Sequence, residues 1–401
     1  MTIRREGPPE SVTFTRFVSP TYAFKERCGM ANKLTSAIFA LALITGANVA
    51  GQTPAVKEAT PAAKAYLQAA LDVMQTNSLR KRTLDWNIVR QKALKAAAGA
   101  EVPADTYEAI RVALRELRDS RSSLELTKEQ RDLEASRKPT KLDPNRINFP
   151  RPMPAAEIQK GPEGYLHRIG GQTVARVIVP AYEAAAAESS ASDLRATQLQ
   201  KVIADLGAAN PCGWIIDLRG NTTYDLWAIL AGMGSLLGDV MVGGFRDADG
   251  NLVKWFYREG KSGIHDLLGV EHNLASVDGQ PFHAKGAPLL AVLIDRKTTN
   301  SAGAFAITMR GRPLTRFFGE QVSNTSATER FDLNDGASLV LTTGVYVDRA
   351  GSEYPEGLNP DEAIPLSGRN PRAAEDPVIH AALGWIGEQA DCGAGRPASG
   401  P

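Results

Sequence analysis

Cysteine is scarce in this chain of 401 residues: Cys28, Cys212 and Cys392 are the only three, and none belongs to a C-x-x-C pair. Zinc knuckles and thioredoxin-like redox motifs are thereby excluded. Cys212 precedes an apolar strand and reads as a small buried thiol, with a bridge to Cys392 left open. Histidine is scarce too, at 5 residues, and no His–carboxylate cluster has metal-ligand spacing, so no metal is expected. Neither sign of charge dominates. Lys plus Arg number 46 against 45 Asp plus Glu, a net of +1, which gives no electrostatic case for nucleic acid or an anionic membrane surface. There is no Walker-type loop and no strand-linked G-x-G-x-x-G, so no nucleotide or other cofactor is expected. What is present, 43% apolar residues with scattered charge, fits a globular protein long enough for a large core and two domains.

Residues 1–50 do not look like a domain. Met30-Ala31-Asn32-Lys33-Leu34 leads into the apolar run Ser36–Ile44 and then small residues, the pattern of a secretory signal peptide. The residues before Met30 read as an upstream extension, and the mature chain is expected to start between Asn48 and Gln52. The run is too short for a stable membrane span, so the processed protein is expected to be secreted or periplasmic. From 60 to 136 the sequence reads as a helical bundle: Leu67, Ala70, Leu71 and Met74, then Ile110, Ala113, Leu114 and Leu117, recur at helical spacing. Asp105 with Glu108 predicts a capping box at a helix start. Residues 137–162, rich in Pro and charge, read as an extended linker. Within residues 163–390, strands (Val174–Pro180, Gly213–Leu218) alternate with helices (Ala191–Leu206, Asp225–Leu237), which predicts an α/β fold with a largely parallel, helix-covered sheet; Phe245–Tyr257 and Leu339–Val347 read as strands of a β-rich portion, and Asp376–Gln389 as one more helix. A tail, 391–401, reads as disordered.

One stretch organises the rest. Pro288-Leu289-Leu290-Ala291-Val292-Leu293-Ile294 has the continuous apolar character of a strand buried on both faces. Thr298-Thr299-Asn300-Ser301-Ala302-Gly303-Ala304 follows as a polar turn, with a helix-compatible segment from Phe305 to Arg310 that Asn300 or Ser301 could cap. A buried strand, a turn and a helix start is where many hydrolases place a nucleophile and oxyanion donors.

Four motifs in order carry a family resemblance: Gly213–Asn221 with Asp217-Leu218-Arg219-Gly220-Asn221, Gly319-Glu320, Leu333–Thr343, and Asn359-Pro360-Asp361. They resemble the C-terminal-processing (tail-specific) serine peptidases, closest to the PDZ-less branch, over about Lys64 to Leu366. The resemblance implies a crotonase/ClpP-like peptidase core behind an N-terminal helical region. It also implies a nucleophile turn resembling T-A-S-A/S-G/S-E. Counted back from Gly319-Glu320 without a gap, the nucleophile position falls on Asn300 and the Glu position on Gly303. A carboxamide cannot form an acyl-enzyme. A one-residue gap restores a serine, Ser301, and still loses the Glu, to Ala304. The base position of the His-using branch, L-G-D-G-H-S, matches Leu117-Arg118-Asp119-Ser120-Arg121-Ser122, so Arg121 replaces His; the base position of the Lys-using branch falls on Thr325. Guanidinium does not accept a proton at any ordinary pH. His167, His265, His272, His283 and His380 match no base position and read as surface or loop residues. Where relatives carry glycines after D-L-R-x-N, this chain has Thr222-Thr223-Tyr224.

Two readings follow. In the first, the chain is a secreted, catalytically degenerate relative whose cleft, around Asn221, Thr222, Ala302 and Gly303, binds a peptide or protein segment, or an apolar ligand as in binding modules built on the same core. In the second, it is an active serine endopeptidase working through Ser301 with an unidentified base. A scaffolding role with no ligand stays open beside them.

Overall fold

The computed structural model describes residues 57–137, 161–182, 189–223, 225–238, 240–284, 286–323, 325–365, 376–389 and 392. The leader, most of the 137–162 linker, Tyr224 and all of the 391–401 tail except Cys392 lie outside the described residues.

Three helices open the described chain: α1 (Pro61–Asn77), α2 (Trp86–Ala96) and α3 (Tyr107–Glu116). Thr60 caps α1, its hydroxyl accepting from Ala63 N at 3.2 Å, and Pro61 takes the first helical position, where its missing N–H costs nothing. The expected capping box at Asp105 is not what forms. A single 3₁₀ turn, Pro103–Thr106, precedes α3, and the Asp105 carboxylate accepts instead from the Glu101 and Val102 amides at 2.9 and 3.1 Å. Pro103 supplies no amide at that turn, which leaves Asp105 to satisfy the two donors upstream. After α3 come a short strand β1 (Ser123–Glu125) and α4 (Lys128–Arg137).

The rest is built on two sheets. The first orders β13 (Glu362–Ala363), β10 (Thr315–Gly319), β9 (Leu289–Ile294), β4 (Gly213–Asp217), β3 (Gln172–Ile178) and β2 (Glu163–Ile169), all parallel except the β2–β3 hairpin. Parallel neighbours need crossovers. Three of these carry helices: α5 (Ser189–Gly207) between β3 and β4, α6 (Leu226–Met233) between β4 and β9, and α7 (Ser301–Met309) between β9 and β10. Every residue of β4 and β9 is buried. The strand period of two then explains the apolar run: Leu290, Val292 and Ile294 enter the core shared with α5, α6 (Leu226–Met233) and α7, while Leu289, Ala291 and Leu293 meet Val378, Ala382 and Ile386 of α8 (Pro377–Glu388). Each such side chain contributes on the order of 1.5–3 kcal/mol on burial.

The second sheet is antiparallel: β1, β12 (Ser338–Asp348), β5 (Val240–Asp247), β6 (Leu252–Arg258), β7 (Lys261–His265) and β8 (Glu271–Ser276), with β11 (Ser326–Asp332) on the other edge of β12. Leu339 and Leu341 of β12 pack into one cluster with Leu67, Leu71, Met74, Ile110 and Leu117 of the opening helices. The turn between β11 and β12 adds a polar latch to that contact, since Asp335 accepts from the Tyr66 and Tyr107 hydroxyls at 2.7 and 2.5 Å. Among the described residues no helix is long and apolar enough to cross a membrane.

Cys212, at the start of β4, is bonded to Cys392, just beyond α8, with Cα atoms 5.3 Å apart. The free buried thiol expected at 212 is corrected by this pairing. The bridge closes a loop of 180 residues and ties α8 over its face of the sheet. Replacing both cysteines by Ala is expected to cost about 2–5 kcal/mol. Thermal melts with and without reductant check this: the variant melts low in both, and wild type falls to meet it only when reduced.

Candidate functional site

The site lies where the loops after β4 and β9 meet. Asp295 follows β9 and accepts from Gly220 N with both carboxylate oxygens at 3.0 Å, and from Lys297 N at 3.0 Å. The buried Thr298 hydroxyl donates to Leu218 O at 2.9 Å, and Thr299 N donates to Asn221 O at 3.0 Å. The two loops are thus sewn together, and the chain leaves them through Asn300 at φ 54°, ψ −129°. That backbone is costly for a non-glycine residue and persists where its surroundings enforce it. Helix α7 then starts at Ser301, four residues earlier than the sequence pattern predicted. The small side chains of Ser301-Ala302-Gly303-Ala304 carry little helical signal of their own, and burial of Ala302 onward supplies it. Neither predicted cap operates, because Asn300 makes no side-chain cap bond and Ser301 is already inside the helix.

Arg121 reaches Asn300 from the far side. Asp119 Oδ1 accepts from Arg121 N at 3.0 Å, Ser122 N at 2.7 Å and the Thr342 hydroxyl at 2.9 Å, forming a local Asx turn tied to β12. From that turn Arg121 Nη2 donates to Asn300 Oδ1 at 3.1 Å, across 179 positions of sequence, and Asn300 Nδ2 donates to Thr222 O at 3.3 Å. The Arg121 charge also reaches Tyr346, whose phenol burial pushes up and that charge pulls back down.

The remaining candidates are placed differently. Asn221 is buried and spent inside the protein: Nδ2 donates to Val179 O and Pro180 O at 2.9 and 3.0 Å, and Oδ1 accepts from Thr223 N at 2.9 Å. Ala302 and Gly303 are buried beneath the first turn of α7 and offer no surface for a ligand. Of the four positions predicted to bind, only Thr222 touches the Arg121–Asn300 pair. Ser301 is half-buried at the first position of α7. Thr325 is buried and donates to Tyr354 O. Of the five histidines, His283 and His380 are exposed, but His167, His265 and His272 lie on β2, β7 and β8 rather than in loops. Burial, then the nearby Arg176 charge, lowers the His167 pKa. Among the described residues no group of His, Cys, Asp and Glu could hold a metal ion.

One feature had no signal in the side-chain sequence. Ser301 N, the amide that follows the sharp turn, donates to Thr223 O at 3.0 Å. Thr223 is held there because its hydroxyl accepts from Tyr182 N at 3.0 Å and donates to Tyr182 O at 3.1 Å. The first amide of α7 is therefore already engaged in a backbone hydrogen bond.

Residues 177–364 match the family model for peptidase family S41. The matched stretch is the core of the fold, from β3 to just beyond β13. The chain is 26% identical over 298 residues to the nisin-resistance protein of Lactococcus lactis subsp. lactis, covering 73% of this chain and 80% of that protein. Its fold is similar to that of a lipoprotein from Streptococcus agalactiae, with a TM-score of 0.54, 18% identity, and 82% and 96% of the two chains covered. It is also similar to the photosystem II D1 C-terminal processing protease, with a TM-score of 0.51, 14% identity, and 76% and 93% covered. Arg121 and Asn300, the base position and the gapless nucleophile position that the resemblance implies, are in direct hydrogen-bond contact.

Proposed function

We propose that this S41 protein is a secreted or periplasmic relative that has given up peptide hydrolysis and holds a peptide or protein segment in its cleft. The Arg121–Asn300 hydrogen bond carries the reading. A guanidinium cannot take a proton and an amide cannot form an acyl-enzyme, so the pair occupies the seats of base and nucleophile without their chemistry. The engaged Ser301 amide supports it independently, since a hydrolase needs that donor free. The Cys212–Cys392 bond supports an oxidising compartment, in keeping with the leader-like residues 30–50. The relative named for nisin resistance makes nisin the first ligand to try.

A fluorophosphonate probe separates this reading from an active peptidase using Ser301. The expected result is no labelling, with denatured casein left intact and nisin bound in calorimetry without being cut. Labelling at Ser301 that Ser301→Ala abolishes would overturn it.

A further inference from the structure

The strained turn at Asn300 has a chemistry of its own, independent of whether the cleft binds peptide. In an L residue, a ψ of −129° swings the next amide nitrogen round to eclipse Cβ, which brings Ser301 N to the side of the chain on which the Asn300 carboxamide sits. That is the approach needed for a backbone nitrogen to attack its neighbour's side-chain carbonyl. Arg121 Nη2 already donates to the oxygen that would become negative, Oδ1, at 3.1 Å. The residue is half-buried, so water reaches it.

We propose that Asn300 is a self-modification site, converting through a cyclic imide to a carboxylate that Arg121 then holds. Ser301 N leaves its hydrogen bond to Thr223 O, gives up its proton to solvent and bonds to Asn300 Cγ. The Cγ–Nδ2 bond breaks, and the nitrogen leaves as ammonia after taking up a proton. Water then opens the ring at either carbonyl, leaving aspartyl or isoaspartyl at position 300. The net change is one water consumed and one ammonia released, with no oxidant or cofactor. The product carboxylate lies against the Arg121 guanidinium, a charge-assisted pair stronger than the amide contact it replaces. The converted chain gains one negative charge, set against the charge of Arg121.

The chain supplies its own control. Asn77-Ser78 is the same dipeptide, but Asn77 is the last residue of α1, its Nδ2 donates to Val73 O at 2.8 Å, and its backbone is helical. Folded protein is held in heavy-oxygen water at mildly alkaline pH, and the peptides carrying Asn300 and Asn77 are followed by mass. Asn300 is expected to convert about tenfold faster than Asn77, a positioning effect that unfolding removes. In urea the two sites should convert at similar rates. Arg121→Ala should narrow the difference, and Ser301→Pro, which removes the attacking N–H at a position where helices accept proline, should abolish conversion at 300. Equal rates in the folded protein would overturn the proposal, as would a preference for Asn300 that persists in urea.

Discussion

Arg121→His combined with Asn300→Ser is expected to give only slow peptide hydrolysis, and adding Thr223→Gly is expected to raise it by about 10²–10³-fold, the usual worth of one oxyanion donor. The double variant supplies a hydroxyl and an imidazole whose positions face each other, as the 3.1 Å contact between residues 121 and 300 requires. It leaves Ser301 N bonded to Thr223 O, so charge developing on a substrate carbonyl still meets no free backbone donor. Thr223 stays put because its hydroxyl is fixed to both backbone atoms of Tyr182. Glycine removes that anchor and lets the peptide unit turn away. kcat/KM on a fluorogenic peptide reads the result. Equal rates for the double and triple variants would show that the Thr223 carbonyl does not limit the site, and activity from Thr223→Gly alone would show that Asn300 and Arg121 do not either.

How far the sequence could be read follows from where each signal resides. The β9 run was legible because two buried faces demand an unbroken apolar stretch, and that stretch admits few other structures. Arg121 and Asn300, 179 positions apart, could be set beside each other only through the family resemblance, since no local pattern links them. The engaged oxyanion donor was not legible, because a backbone N–H donating to a backbone C=O leaves no mark on residue identity. For Asn221, Ala302 and Gly303, proximity to the turn was readable, and the burial of those positions was not. The latch of Asp335 on Tyr66 and Tyr107 spans 269 and 228 positions, and the Asp335-Gly336 pair announced only its turn. The start of α7 was missed because small residues signal a helix weakly, and tertiary burial made the choice.

Arg219→Ala is expected to destabilise the fold by about 3–5 kcal/mol, because it takes the cation from buried Asp376 and leaves buried Asp217 with Arg176 alone. Arg219 lies at the end of β4 with 1% of its side chain exposed, beside Asp217 at 4% and Asp376 at 2%. Nε and Nη2 donate to the two oxygens of Asp217 at 2.9 and 2.8 Å, while Nη1 donates to Asp376 at 2.6 Å. Asp376 in turn caps α8, accepting from Val378 N at 2.9 Å, so the guanidinium joins the loop before the site to the helix across the sheet. Arg219→Lys should rescue little, since one ammonium cannot reproduce the fork. The pH dependence distinguishes this network from simple packing. Burial pushes the Asp217 carboxyl up, but hydrogen bonds and charge from Arg219 and Arg176 outweigh it and hold the group below its ordinary range. A depressed carboxyl means that the folded chain binds fewer protons than the unfolded one near pH 4, so its contribution is complete above the unfolded pKa and is lost as pH falls through the folded value. Without Arg219 that contribution shrinks to what Arg176 supplies, and protonation relieves the carboxylates that have lost a partner. Urea melts should therefore show the gap between wild type and Arg219→Ala widest near pH 7 and narrowing below about pH 4. A gap that holds constant across that range would mean that Arg219 acts through its packing alone.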